Sequence, residues 1–367
     1  MSGSDTLQPR VWNGETPRAA ASARLTLTSL QYLRGVAALM VVYFHGVLQL
    51  HNFASVAGSF PLFGESGVDL FFVLSGLLMW ITTARSQTTP WAFMRKRLLR
   101  IAPLYWALTI AAGVAALLAP TLLKSTVFEA SHFVSSLFFI PAQNPAFGET
   151  APDNLLYTPV LVPGWTLNYE MFFYLIFALC ILLKPSMRLV LIPCAFALLV
   201  WAGETDVIGN GALSYYSNPI IFEFILGMGV GVLVQRRWFV APPFAVLAAV
   251  SAAALLLYAD LHHAPLRPLT FGLPAAVIIY CVCSLEAKNC TLDMPLLRLL
   301  GDASYSIYLT HVFSLAALRI IFLHVSGDSG PSAFLFLLAA LILSAVVGIV
   351  TYRLYEKPAM QLLERFK

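Results

Sequence analysis

LRGVAALMVVYFHGVLQL, residues Leu33–Leu50, is an apolar run interrupted by Arg34 and His45. As an α-helix rising about 1.5 Å per residue, it nearly crosses the roughly 30 Å of a bilayer's hydrocarbon core. At about 100° per residue the eleven steps from Arg34 to His45 return to almost the same face, roughly 16 Å further along. One face therefore carries a cation at one membrane surface and an imidazole near the bilayer middle. Ionisable groups inside spans are costly and mark pathways, ligands or reactions. The structural alternative is a snorkelling arginine plus a histidine hydrogen-bonded within a bundle.

The pattern repeats along the chain. Of its 367 residues 59% are hydrophobic and 11% charged, against roughly 25% charged in soluble domains. The fold class is an all-α polytopic membrane protein with about ten transmembrane helices. They are expected near 28–50, 67–84, 98–119, 165–183, 187–202, 218–234, 240–259, 270–285, 303–323 and 332–354. Lys and Arg collect in cytoplasmic loops and helix ends. With the N-terminus inside, all of the 22 Lys and Arg except Lys124, Arg267 and Arg319 fall on the cytoplasmic side. Both termini are therefore expected in the cytoplasm. A span over the short apolar stretch 131–140 would invert every later loop, so that stretch reads as an interfacial or re-entrant piece.

That piece belongs to a long outer loop, about 120–164, rich in proline. Long loops of this kind are often binding elements, although a plain linker fits as well. Residues 1–27 read as a mobile cytoplasmic tail, 28–360 as the transmembrane domain and 361–367 as a cytoplasmic C-terminal tail. The net charge of +4 reflects loop topology and does not point to nucleic acid. Five cysteines give no disulfide framework, and Cys281 and Cys283 point about 200° apart on a helix, so no metal is expected. Any chemistry must occur within the bundle or at its surfaces.

Arg95-Lys96-Arg97-Leu98-Leu99-Arg100 opens the third span from the cytoplasm. Arg97 and Arg100 share a helix face, and guanidinium forks match phosphate oxygens well. Ordinary positive-inside anchoring explains a basic cluster, but not why Arg34 lies at the same level. Three arginines at one surface with a histidine deeper suit a phosphate-bearing ligand that sends an arm inward, the shape of coenzyme A. Other polar residues keep two readings each. Glu170 can orient or take a proton from a catalytic histidine, bind a sugar hydroxyl, or pair within the bundle. Asp69 can cap the second span or contact a substrate. His311 is a second mid-membrane histidine, with Tyr308 and Thr310 as local company. Glu223 precedes Gly227-Met228-Gly229-Val230-Gly231, where small residues permit close helix packing or ligand contact.

The segment from Leu30 to His45 resembles the first helix of the acyltransferase-3 family, integral-membrane O-acyltransferases of bacterial surface polysaccharides. The resemblance continues through Gly67 to Gly76, the Arg97 and Arg100 pair with Pro103-Leu104-Tyr105-Trp106, Trp165 to Glu170, Asp302 to His311, and Tyr355-Glu356-Lys357-Pro358. It is closest to the branch concerned with exopolysaccharide production, and the fused hydrolase-like domain of some O-antigen acetyltransferases is not expected. It implies acetyl-CoA as cytoplasmic acyl donor and a polysaccharide or lipid-linked oligosaccharide acceptor at the outer face of a bacterial inner membrane. His45 and Glu170 are then the catalytic candidates, with Arg34, Arg97 and Arg100 for the donor and Asp69, Trp165, Asn168 and His311 for the acceptor. The expected mechanism has His45 as general base on a sugar hydroxyl, or as carrier of a covalent acyl group. The rival from another class is a transporter or flippase for lipid-linked sugars. Succinyl or a longer acyl donor is the rival within the enzyme class.

Overall fold

The structure is a computed structural model that describes residues 28–51, 60–84, 86, 88–119, 126–147, 156–205, 207–209, 211–262, 264–325 and 330–365. The expected N-terminal tail, residues 1–27, and the last two residues of the C-terminal tail lie outside the described residues, as do Lys124 and Arg85. Among the described residues all regular structure is helical.

In chain order the helices are α1 (Thr28–Leu50), α2 (Gly67–Thr83), α3 (Pro90–Leu118), α4 (Ala130–Leu137), α5 (Trp165–Cys180), α6 (Pro185–Glu204) and α7 (Ala212–Tyr216). They continue with α8 (Phe222–Gln235), α9 (Pro242–Leu261), α10 (Leu273–Ala287), α11 (Pro295–Asp302), α12 (Ser304–Val325), α13 (Gly330–Thr351) and α14 (Lys357–Glu364). Their starts follow local chemistry. Thr89 caps α3 by accepting from the Ala92 N–H at 3.2 Å, and Pro90 stands at the first turn, where no N–H is needed. The Glu286 carboxylate from the end of α10 takes the Thr28 and Ser29 N–H groups that open α1, satisfying donors no intrahelical carbonyl reaches. Two five-residue π-helical turns, Pro268–Gly272 and Tyr352–Glu356, precede α10 and α14.

Among the described residues eight helices are long and apolar enough to cross a membrane. The expected spans at 165–183 and 218–234 are shorter helices, Trp165–Cys180, which stops before Pro185 opens the next helix, and Pro219–Gln235, whose first turn Pro219–Ile221 is a 3-10 turn. The α4 piece has 8 residues, about 12 Å, too short to cross. It is pinned by α3, whose Tyr105 hydroxyl donates to the Ser136 carbonyl at 3.0 Å and whose Trp106 indole donates to Leu137 at 2.7 Å.

Helix α2 is central. Of its apolar stretch 78% is buried inside the protein, against 17% for α6 and 22% for α9, which turn leucine and valine outward. Outward apolar faces of that size require lipid. α2 crosses α8 at van der Waals contact of the two backbones: a Cβ on Gly76 would lie 2.0 Å from the Phe224 carbonyl, and one on Gly227 2.0 Å from that of Val73. The glycines of the 227–231 run thus serve packing at Gly227 and at Gly231, which abuts Trp80, while Gly229 meets nothing.

Candidate functional site

A cavity of about 100 Å³ opens among α1, α2, α3, α5 and α12. Its polar lining is Arg34, Ser75, Arg97, Arg100, Thr166, Glu170, Tyr174, Tyr305 and Tyr308, and the rest is apolar. The three arginines, from two helices and positions 34 to 100, therefore converge. Arg34 donates from Nε to the Ser304 hydroxyl at 3.3 Å. The Arg97 guanidinium lies over the rings of Phe93 and Tyr174, 5.5 and 5.7 Å from their centroids, and its Nε is buried without a hydrogen-bond partner. Among the described residues none of the three makes an ion pair within 4.0 Å.

Two carboxylates flank them. Glu170 accepts from the Ser75 hydroxyl at 2.9 Å and from Tyr174, while Ser75 and Tyr174 stand 3.1 Å apart. No hydrogen bond joins Glu170 to His45; its partners place it among the arginines instead. Glu356, 4% exposed, is delivered by the second π-helical turn, accepts from Ser306, and shares a small cleft with Arg100. Of this cluster of three guanidinium groups and two carboxylates only Glu356 is buried, Arg34, Arg97 and Glu170 are half-buried and Arg100 is exposed. It retains positive charge and unspent N–H donors, which suits a multiply charged anion reaching in from an open side.

His45 is the eighteenth of the 23 residues of α1, nearer the Leu50 end than the middle, because the helix already begins at Thr28. It does not line the cavity. Its ring packs against that of His311 at 4.8 Å, so the two histidines expected at mid-membrane meet. Each donates its Nδ1–H to a carbonyl of its own helix, His45 to Val41 at 3.0 Å and His311 to Tyr308 at 2.6 Å. A carbonyl can only accept, so each neutral ring carries its lone pair on Nε2; that of His311 is buried with no partner. Between the arginines and the histidines stand Tyr308 and Thr166, whose hydroxyls lie 2.8 Å apart.

The remaining candidates separate. Asp69, fully buried, does not cap α2: the N-cap is Ser66, without a side-chain bond. It is held by Arg267, whose Nε and Nη2 donate to its two oxygens at 3.0 and 2.8 Å, while Nη1 pairs with Glu65. The competing partner was invisible in sequence because it lies 198 residues away. Beside this knot Glu223 is fully buried, against Gly272, with neither oxygen hydrogen-bonded. Trp165 opens α5, its ring edge-on to Phe72 and Tyr169. Asn168 is fully buried with both amide atoms unpartnered. Neither residue lines the cavity. The sequence reading gave Ser75, Tyr174 and Glu356 no role. Tyr174 was detectable, four residues after Glu170 and so on the same helix face; Ser75 was not. Among the described residues no three His, Cys, Asp or Glu side chains gather as metal ligands.

Comparison with known proteins gives this geometry its context. The chain belongs to the acyltransferase-3 family, whose acyltransferase domain matches residues 27–353. It is 36% identical over 318 residues to the exopolysaccharide production protein ExoZ of Rhizobium meliloti strain 1021, covering 85% of this chain and 94% of that protein. It is 26% identical over 380 residues to the acyltransferase MdmB of Streptomyces mycarofaciens, covering 92% and 93% of the two. No solved structure matches the chain. The protein is an acyltransferase of the membrane.

Proposed function

We propose that this acyltransferase moves an acetyl group from cytoplasmic acetyl-CoA to a hydroxyl of an exopolysaccharide or other surface-polysaccharide sugar, at the outer face of a bacterial inner membrane. The chain crosses ten times with both termini in the cytoplasm, so the Thr28 end of α1 faces inward and the Leu50 end outward. The observation that carries this reading is the cavity itself: three guanidinium groups without an acidic ion-pair partner among the described residues converge in it, Arg34 lying about two turns from the Thr28 end of α1. The similarity to ExoZ supports the polysaccharide acceptor.

The phosphates of the donor sit against Arg34, Arg97 and Arg100, with Glu170 holding that set in register through Ser75 and Tyr174. The adenosine end remains at the cytoplasmic surface, and the pantetheine arm runs along the cavity towards Tyr308. An extended arm brings its thioester about 16 Å from the arginines, the Arg34 to His45 rise on α1. The acceptor hydroxyl approaches from outside, past Trp165 and Asn168 at the start of α5. His45 Nε2 takes the hydroxyl proton while the oxygen attacks the thioester carbon, and the departing thiolate takes that proton from His45. An imidazole can accept a proton at Nε2 and return it, which suits such a transfer. His311 packs the base in place.

The test is the ester-linked acyl content of host glycans, by proton NMR and mass spectrometry, in a deletion strain complemented with wild type or His45→Ala. Restoration of an acetyl signal by wild type and not by a well-inserted His45→Ala is the expected result. Equal restoration removes His45 from the mechanism. Loss of glycan export, with normal esterification of what remains, turns the reading to a transporter, and a heavier ester identifies succinyl or a longer acyl group.

A further inference from the structure

The seal between arginines and histidines has a geometry of its own. Tyr308 on α12 and Thr166 on α5 come from positions 142 residues apart, yet their hydroxyls meet at 2.8 Å. Both also converge on a single oxygen, the Pro163 carbonyl, at 3.0 Å from Tyr308 and 3.1 Å from Thr166. Both residues line the cavity, and both are buried, 6% and 7% exposed. One turn further along α12 lies His311, its ring 6.1 Å from that of Tyr308 and 4.8 Å from that of His45.

Two buried hydroxyls lie within hydrogen-bond distance of one carbonyl oxygen and of each other. With one proton each, both can point at that oxygen only by giving up their mutual bond, a rearrangement that negative charge developing on an acyl oxygen there would favour. The tetrahedral intermediate places a full negative charge on the former carbonyl oxygen, and donors about 2.7–3.1 Å from it stabilise it strongly in a dry site. Here a backbone carbonyl occupies that position. It belongs to the three-residue turn Val162–Gly164, which ends the long outer loop.

We propose that the hydroxyls of Tyr308 and Thr166 are the oxyanion pocket of this enzyme, and that the Pro163 carbonyl fills it until the donor's thioester carbonyl takes its place. The assignment rests on the acyl-transfer reading above. In the step, the acceptor O–H proton goes to His45 Nε2 as the new C–O bond forms. The carbonyl π pair moves onto the oxygen held by Tyr308 and Thr166. Collapse restores the C=O bond and breaks the C–S bond, and the thiolate takes the proton from His45. Neither hydroxyl changes protonation; each contributes a hydrogen bond that strengthens as charge develops. Thr166 alone could be serving the ordinary local bond of a helix start. The hydroxyl of Tyr308 has no such local role.

The experiment uses the full chain in nanodiscs, acetyl-CoA as donor, and as acceptor membranes of a host strain lacking the enzyme. Thiol release and ester formation are followed beside coenzyme A affinity and thermal unfolding. Tyr308→Phe, which removes one oxygen and keeps the ring, is expected to lower kcat by about 10²-fold or more, with acetyl-CoA KM, coenzyme A affinity and unfolding midpoint unchanged. Thr166→Val is expected to act in the same sense and Thr166→Ser to restore the rate. The pocket is refuted if Tyr308→Phe turns over within threefold of wild type. It is refuted equally if the variant loses rate, coenzyme A affinity and stability together, the pattern of a loop anchor. If wild type releases no thiol, or His45→Ala releases it as fast, the acyl-transfer reading fails and the pocket falls with it.

Discussion

Removing Arg267 should be among the most disruptive single changes outside the cavity. Its guanidinium makes two bonds to Asp69 at 3.0 and 2.8 Å and one to Glu65, yet the two limbs differ in weight. The Asp69 side chain is 0% exposed and that of Glu65 39%. Unit charges about 4 Å apart attract by about 4 kcal/mol at an effective dielectric of 20, and breaking a buried pair from one side typically costs about 3–5 kcal/mol. The exposed limb contributes about 0.2–1 kcal/mol. Arg267→Met strands a buried carboxylate beside Glu223, so it should cost about 3–5 kcal/mol. Asp69→Asn leaves the guanidinium to Glu65 and should cost less, and Glu65→Gln under about 1 kcal/mol. The double variant Asp69→Leu with Arg267→Met should recover most of the loss, since an apolar pair has no charge to strand. The assay is denaturant titration of the purified protein in mixed micelles, followed by tryptophan fluorescence. Equal costs for Arg267→Met and Glu65→Gln, or additive losses in the double variant, would refute the assignment of the stabilisation to the Asp69 limb.

Other consequences can be checked individually. Arg97→Gln should weaken coenzyme A binding by about 10- to 100-fold, the equivalent of one charge-assisted hydrogen bond at about 1.5–3 kcal/mol, and Arg97→Lys should restore only part of it because a point charge lacks the planar fork; calorimetry in nanodiscs measures both. Gly227→Ala places a methyl against the Val73 carbonyl at 2.0 Å and should cost folded yield, whereas Gly229→Ala, with open space around it, should be neutral or slightly stabilising; detergent size-exclusion profiles distinguish them. Burial lowers the pKa of His132, against its bond to the Thr158 carbonyl and the nearby Glu129. The unfolded loop then takes up the proton first as pH falls, so the anchorage of the loop is complete above about pH 6.5 and is lost as pH falls from there towards the lower folded value. Proteolysis of the 120–164 loop should accelerate between pH 7.5 and 5, and His132→Gln should flatten the dependence.

The site was partly legible in the chain. Arg34, Arg97 and Arg100 could be placed at one membrane level from helix rise and the positive-inside pattern, and the structure brings them into one cavity. Glu170 was recognised as a buried acid, but its partner was not: Ser75 lies 95 residues away on a helix whose facing neighbours are set by glycine contacts between α2 and α8. Asp69 read equally as a cap or a substrate contact because nothing nearby announced Arg267. The meeting of Tyr308 with Thr166, and of His45 with His311, required two pairs of helices to dock in one register.

The sequence by itself determined what depends on short windows: which segments are apolar and helical, and where the basic residues collect along them. Those are local balances between backbone hydrogen bonding, side-chain transfer and a few charges, and they hold whatever the neighbours do. Only the tertiary structure decided which buried polar groups satisfy one another. In a bundle that choice depends on the rotation and depth of each helix against its neighbours, settled by close contacts such as Gly76 with Phe224 and Gly227 with Val73, and a turn of one helix by about 100° would have given every hydroxyl, acid and guanidinium a different partner.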